Sequence, residues 1–201
     1  MITGVEEIDE KLRNIEGGII LLRTTGDMGL EVVLQCLEGN LGKIGRSVYI
    51  FASPQIKDRL QKHPEVERFW ILGEDFEPHE LFKITHIMRN LPEGSLVVFL
   101  LLNVLALHHP ADRLQSLFLS LSNIATERKL VVIVVVDVRM FSDRVLSSFE
   151  ELSTVVIEFV ERVAGFKVTR GMRVKKSPRG PTGFYRIEMR DGRLHISEPL
   201  G

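Results

Sequence analysis

The chain has 201 residues, 44% of them hydrophobic and 26% charged, with a formal net charge of −1. That length suits one domain with a full core and is short for two, and the composition excludes a chain disordered over most of its length. A membrane span needs ~20 apolar residues in succession, but Leu96 to Leu107 is interrupted by Asn103, and Leu130 to Val136 is only strand-sized.

The start of the chain carries Glu6, Glu7, Asp9 and Glu10, the opposite of the basic head of a secretory signal. The single cysteine, Cys36, forms no internal disulfide and reads as a small buried hydrophobe between Leu34 and Leu37. Both features point to a reducing, cytoplasmic location. No Cys/His cluster has metal-ligand spacing, and the adjacent His108 and His109 read as a surface loop. Neither metal nor cofactor is expected. Charge is unevenly spread: from Arg162 onward ten Lys/Arg stand against three Asp/Glu, a balance of +7 that leaves −8 for the rest. The split suits an acidic partner for the tail, nucleic acid or another copy's acidic body, and it also suits a hairpin whose lysines and arginines guard an exposed sheet edge.

In chain order, Gly17-Gly18 precedes a short apolar strand, Ile19 to Leu22. Thr24-Thr25-Gly26-Asp27 turns the chain, and Leu30 to Leu41 has helical periodicity. Ser47 to Ala52 is a second strand. Pro54 opens an amphipathic helix that Pro64 closes. Arg68 to Leu72 is a third strand, with Trp70 read as core, and Glu77 to Leu91 is a helix with a stripe at Leu81, Ile84, Met88 and Leu91. Ser95 to Leu102 is strand four. The helix Ala111 to Arg128 turns Leu114, Leu117, Phe118, Leu121, Ile124 and Ala125 to one side, and Leu130 to Val136 is strand five. Strands without polar alternation are buried on both faces, which predicts a parallel sheet between two helical layers.

After about residue 150 the pattern changes. Thr154 to Glu161, Phe166 to Lys175, Phe184 to Met189 and Arg193 to Ile196 are strands without intervening helices. Ala164-Gly165 and Asp191-Gly192 supply hairpin turns, and Ser177 to Gly183 is a loop. The expectation is a single domain over 1–201, with a parallel α/β body at 1–150 and an antiparallel β tail at 151–201.

This order, together with the opening Thr3-Gly4-Val5-Glu6-Glu7-Ile8-Asp9 and the closing Arg173-Val174-Lys175-Lys176 through Gly183 and Asp191-Gly192, resembles the RecA superfamily, in particular its KaiC-like branch in archaea and bacteria. The resemblance covers nearly the whole chain. It implies a RecA-like α/β three-layer sandwich with a mainly parallel central sheet and a C-terminal antiparallel hairpin extension. The high share of Val, Ile, Leu, Glu, Lys and Arg suits a heat-adapted organism.

Active members of that superfamily follow strand one with G-x-x-x-x-G-K-[ST], in which backbone N–H groups wrap the phosphates, the lysine neutralises them and the hydroxyl holds magnesium. The matching stretch here is Arg23-Thr24-Thr25-Gly26-Asp27-Met28-Gly29-Leu30. Arg23 stands at the first glycine, Met28 at the second, Gly29 at the lysine and Leu30 at the hydroxyl residue. Asp27 adds a negative charge where phosphates should sit. The second strand should end in acids and here ends Phe51-Ala52-Ser53-Pro54; the fourth should end in a magnesium-binding aspartate, and Leu102 matches that position with only Asn103 beside it. Phosphoryl transfer depends on positioning and on charge spread over lysine and metal, so ATPase chemistry is expected to be lost and no catalytic residue is assigned.

Two residues bear on substitute chemistry. Arg23 is either a relocated cation for phosphate or a strand end that reaches solvent or pairs with Asp27. Asp137, closing strand five, is either a rim ligand or a cap for a helix over Met140 to Phe149. Glu150 and Glu151 are adjacent and should diverge. The resemblance also implies that Lys175, Lys176 and Arg179 reach a neighbouring subunit, making them an interface or anion-binding set. The expected role is a non-hydrolysing assembly or regulatory protein. Its partner would be another copy or a RecA/KaiC-type ATPase. The alternatives are nucleic-acid binding through the basic hairpin and nucleotide binding in an unorthodox pose around Gly26 and Gly29.

Overall fold

Continuous apolar runs become the inner strands of one nine-stranded sheet of order β3-β2-β4-β5-β1-β6-β7-β8-β9. The computed structural model describes residues 6–25, 30, 31, 34, 35, 45–60, 64–164, 167–190 and 193–200. The strands are β1 (Gly18–Thr24), β2 (Val48–Ala52), β3 (Val66–Ile71), β4 (Leu96–Phe99), β5 (Val131–Asp137), β6 (Val155–Ala164), β7 (Lys167–Lys176), β8 (Phe184–Arg190) and β9 (Arg193–Leu200). The helices are α1 (Glu6–Lys11), α2 (Pro54–Leu60), α3 (Leu81–Arg89), α4 (Leu102–Leu105), α5 (Ala111–Glu127) and α6 (Asp143–Leu152). Leu30, Glu31, Leu34 and Gln35 are also helical, within the predicted helix from Leu30.

Pairing is parallel from β3 through β6 and antiparallel from β6 through β9. Each face has its own core. Ile19, Leu21, Phe99, Val134 and Val156 face the apolar stripes of α3, α5 and α6, while Ile20, Leu22, Ile50, Ile133 and Ile157 face Ile8 and Leu12 at α1 and Leu34. This is the three-layer arrangement that two-sided burial of the strands demands. Trp70 is buried in the first of these cores, stacked on Phe51.

Several strand ends differ from the sequence reading by a few residues, β9 most, running on from Ile196 to Leu200, and four differences change how elements begin or pair. The tail's first strand, β6, pairs in parallel with β1 from Val155 to Glu158 before running on to form the antiparallel hairpin with β7, so the change of direction falls one strand later than residue 150 suggests. Strand four stops at Phe99; Leu100 and Leu101 leave it and Leu102 opens α4. The helix over Glu77 to Leu91 begins only at Leu81, because Glu77 to Glu80 close a separate turn in which the Glu80 backbone N–H donates to the Glu77 carbonyl and the Glu80 carboxylate accepts the Glu77 N–H. The helix placed at Met140 to Phe149 begins at Asp143, since Val138–Met140 form a separate 3₁₀ turn.

Two glycines set how β1 enters the sheet. A side chain at Gly17 would meet the Ala125 carbonyl oxygen at 2.8 Å, where the end of α5 crosses the start of the strand. Gly18 has φ +121°, and a Cβ there would lie 2.0 Å from Thr154 Oγ1. Only glycine satisfies both the backbone angle and the close approach.

Candidate functional site

The C-terminal ends of β1, β5 and β4 lie side by side, with Thr24 paired to Asp137 and Phe99 to Val134. In open α/β sheets this rim is where ligands bind. Thr24 is buried, its hydroxyl 3.3 Å from the Val136 carbonyl. Beyond β4, Leu101 and Leu102 are fully buried, and Asn103 Oδ1 accepts the Asp137 backbone N–H at 2.9 Å. Asn103 thus joins two strand ends. At the end of β2, the Ser53 carbonyl accepts from Ile56 and Lys57 and starts α2. Asp137 acts as a cap: its carboxylate accepts the Arg139 N–H at 3.0 Å and the Arg139 guanidinium at 2.6 Å, which closes the 3₁₀ turn. Among the described residues no three His, Cys, Asp or Glu are grouped to hold a metal ion, and no helix is long and apolar enough to cross a membrane.

Of the loop positions aligned with the phosphate-binding motif, Gly26, Asp27 and Gly29 lie outside the described residues, as do Thr3 to Val5, Cys36, Gly165, Asp191 and Gly192. Leu30 is a half-buried helical residue packed on the core around Leu34. Arg23 is neither at a strand end facing solvent nor free to reach for an anion. Its guanidinium donates to Glu150 on α6 and lies 3.6 Å from Glu158 on β6. Glu158 in turn accepts from Arg173 Nε at 2.8 Å, and Lys175 Nζ lies 2.9 Å from Glu150. The chain of contacts Arg173, Glu158, Arg23, Glu150, Lys175 alternates in sign across β7, β6, β1 and α6. Arg23, Glu150 and Glu158 are only 16%, 19% and 17% exposed. The register explains the meeting: Arg23 pairs with Glu158 across β1 and β6, and Glu158 with Arg173 across β6 and β7, so all three project from one face. Arg23 Nε is buried without a hydrogen-bond partner among the described residues. Arg173 also stacks its guanidinium 4.5 Å above the Phe184 ring.

Glu158 was not singled out from the sequence, and Glu150 was considered only as the neighbour of Glu151. The available signal was a lone Glu158 inside the apolar run from Val155 to Val160, matched by a lone Arg23 closing an apolar strand. Glu150 and Glu151 do diverge at the side chain, yet both of their carbonyls accept from Lys176 Nζ, at 2.9 and 3.0 Å, which caps the C-terminus of α6 with a cation.

The interface set therefore has partners inside the chain. Lys175 binds Glu150, Lys176 binds the end of α6, and Arg179 Nη1 lies 3.9 Å from Glu10 while its carbonyl accepts from Lys11 at 2.8 Å. Because β7 runs antiparallel to β6 and Lys176 pairs with Val156, Lys176 lies near the start of β6, level with Leu21 of β1. Arg170 pairs with Glu161 and Arg186 with Glu188. Arg170, Arg173, Lys175, Lys176, Arg179 and Arg186 thus each have a partner within the chain.

No protein-family profile and no curated protein matches the chain. Among solved structures it is similar to the crystal structure of the KaiC-like protein PH0186 from the hyperthermophilic archaeon Pyrococcus horikoshii OT3, with a TM-score of 0.71, 14% identity and 98% of each chain covered. The chain has the KaiC-like, RecA-type fold.

Proposed function

We propose that this KaiC-fold chain does not hydrolyse ATP and works by assembly, with another copy or as a regulatory subunit on a RecA- or KaiC-type ATPase. The observation that carries the reading is the chemistry of the rim. Magnesium requires near-octahedral oxygen ligands, but the end of β4 offers buried Leu101 and Leu102, the Asn103 oxygen is engaged by the Asp137 backbone, and the Asp137 carboxylate is chelated by Arg139. Arg23, the cation that precedes the loop in sequence, has its guanidinium between Glu150 and Glu158. These residues do not fit a magnesium nucleotide. The sequence Gly26-Asp27-Met28-Gly29 supplies neither a lysine nor a hydroxyl. With no free cation or metal ligand among the described rim residues to carry the charge that develops on a transferring phosphoryl, the transition state gains little over water.

The nucleic-acid reading is weaker on the same grounds, because phosphate contacts need available cations and Arg170, Arg173, Lys175, Lys176, Arg179 and Arg186 already face carboxylates or carbonyls. Incubation with millimolar ATP and magnesium is expected to release phosphate no faster than buffer does. Release that saturates with ATP and disappears on chelation would refute the loss of hydrolysis.

A further inference from the structure

We infer that the groove between α3 and α5 is a contact between two copies of this chain, with Phe82 of each copy seated in the groove of the other. This surface deepens the assembly reading above and rests on it. Phe82, in the first turn of α3, is 68% exposed, and Leu119 on the outer side of α5 is 46% exposed. A ring so placed loses its hydration only against another surface, and isolated apolar residues of this size gain most when they enter a pocket. Phe82 forms one wall of a groove of about 340 Å³ that Leu81, Thr85, Ser116, Leu117 and Ser120 also line, so the partner's ring would enter against it. Ser116 and Ser120 return their hydroxyls to carbonyls of their own helix at 2.9 Å, so the wall they form is short and has no donor seeking a partner. The groove accepts a flat apolar group.

Charge decides which group. Asp112 and Arg113 stand next to each other at the mouth of the groove, both exposed, and neither side chain forms an ion pair among the described residues. An adjacent acid and base are self-complementary under a two-fold axis: with the axis beside the first turn of α5, Asp112 of each copy meets Arg113 of the other, and each Phe82 crosses into the opposite groove. Such isologous contacts place the same patch on both subunits. An acidic or a basic foreign partner would satisfy one of the two charges and repel the other. Association in the micromolar range is expected of a contact carried by one ring and one reciprocal ion pair per copy.

Sedimentation equilibrium across the micromolar range tests the contact on the full chain. The protein is expected to dimerise, and Phe82→Ser to weaken the dimer at least about tenfold. Asp112→Arg and Arg113→Asp each juxtapose like charges and weaken it, whereas the double variant Asp112→Arg/Arg113→Asp restores it, because the swapped pair meets again across the axis. Circular dichroism monitors the fold of each variant, all three positions being exposed. A dimer unaffected by Phe82→Ser overturns the surface while leaving assembly through another face intact. A monomer throughout overturns the contact, and the phosphate-release result then stands on its own.

Discussion

Glu150→Ala is expected to lower the free energy of unfolding by about 3 kcal/mol, and by more than Arg23→Ala does. Breaking a buried ion pair by removing one partner costs about 3–5 kcal/mol when the remaining charge is left uncompensated, and partial exposure of this cluster reduces that figure. The asymmetry comes from counting charges. Three cations, Arg23, Arg173 and Lys175, share two carboxylates, Glu150 and Glu158. Loss of Glu150 leaves three cations around one acid, with Arg23 still walled in between β6 and α6. Loss of Arg23 leaves Glu158 with Arg173 and Glu150 with Lys175, each carboxylate still paired. The double variant is therefore expected to be less destabilised than the two single effects added together. Urea unfolding of the four proteins measures this directly, and equal losses in the two single variants would contradict the count.

Phe149→Ala is expected to cost about 3–5 kcal/mol, the usual penalty for truncating a fully buried aromatic ring. Phe149 has no exposed surface, stacks on Phe118 of α5 at a centroid distance of 4.4 Å and takes Phe141 edge-on at 5.5 Å. With Val145, Leu146 and the Gln115–Ser148 hydrogen bond it fixes α6 to α5, and α6 is the element that brings Glu150 to Arg23. The cavity cannot collapse easily, because α5 is held against β1 where a Cβ on Gly17 would meet the Ala125 carbonyl oxygen at 2.8 Å. Thermal unfolding should show a fall of roughly 6–20 °C for a chain of this size. A shift below a few degrees would mean that the ring contributes far less than its burial indicates.

The parallel body was legible because burial on both faces leaves a direct imprint: β1, β4 and β5 carry unbroken apolar runs at Ile19 to Leu22, Leu96 to Phe99 and Val131 to Val136, and the stripe of α5 matches its buried residues one for one. Where an aliphatic run continues past the strand the imprint is lost, so Leu100 to Leu102 read as strand although the chain turns there into α4. Direction was also hidden. Nothing within Val155 to Ala164 distinguishes a strand parallel to β1 on one side from one antiparallel to β7 on the other. The site was half legible. Missing lysine, hydroxyl and acids are visible as residue types, whereas the engagement of Arg23 depends on Glu150 and Glu158, 127 and 135 positions away along the chain. The same distance effect made the basic tail look like a surface in search of a partner, when Glu10, Glu150, Glu158 and Glu161 of the same chain face it.

Isothermal titration of the full chain with ATP, with and without magnesium, addresses the rim most directly. The account predicts no saturable heat that depends on the metal, because the strand ends carry aliphatic groups and charges already neutralised by their neighbours. Saturable binding of ATP that requires magnesium and is abolished by altering Asp137 or Asn103 would contradict it.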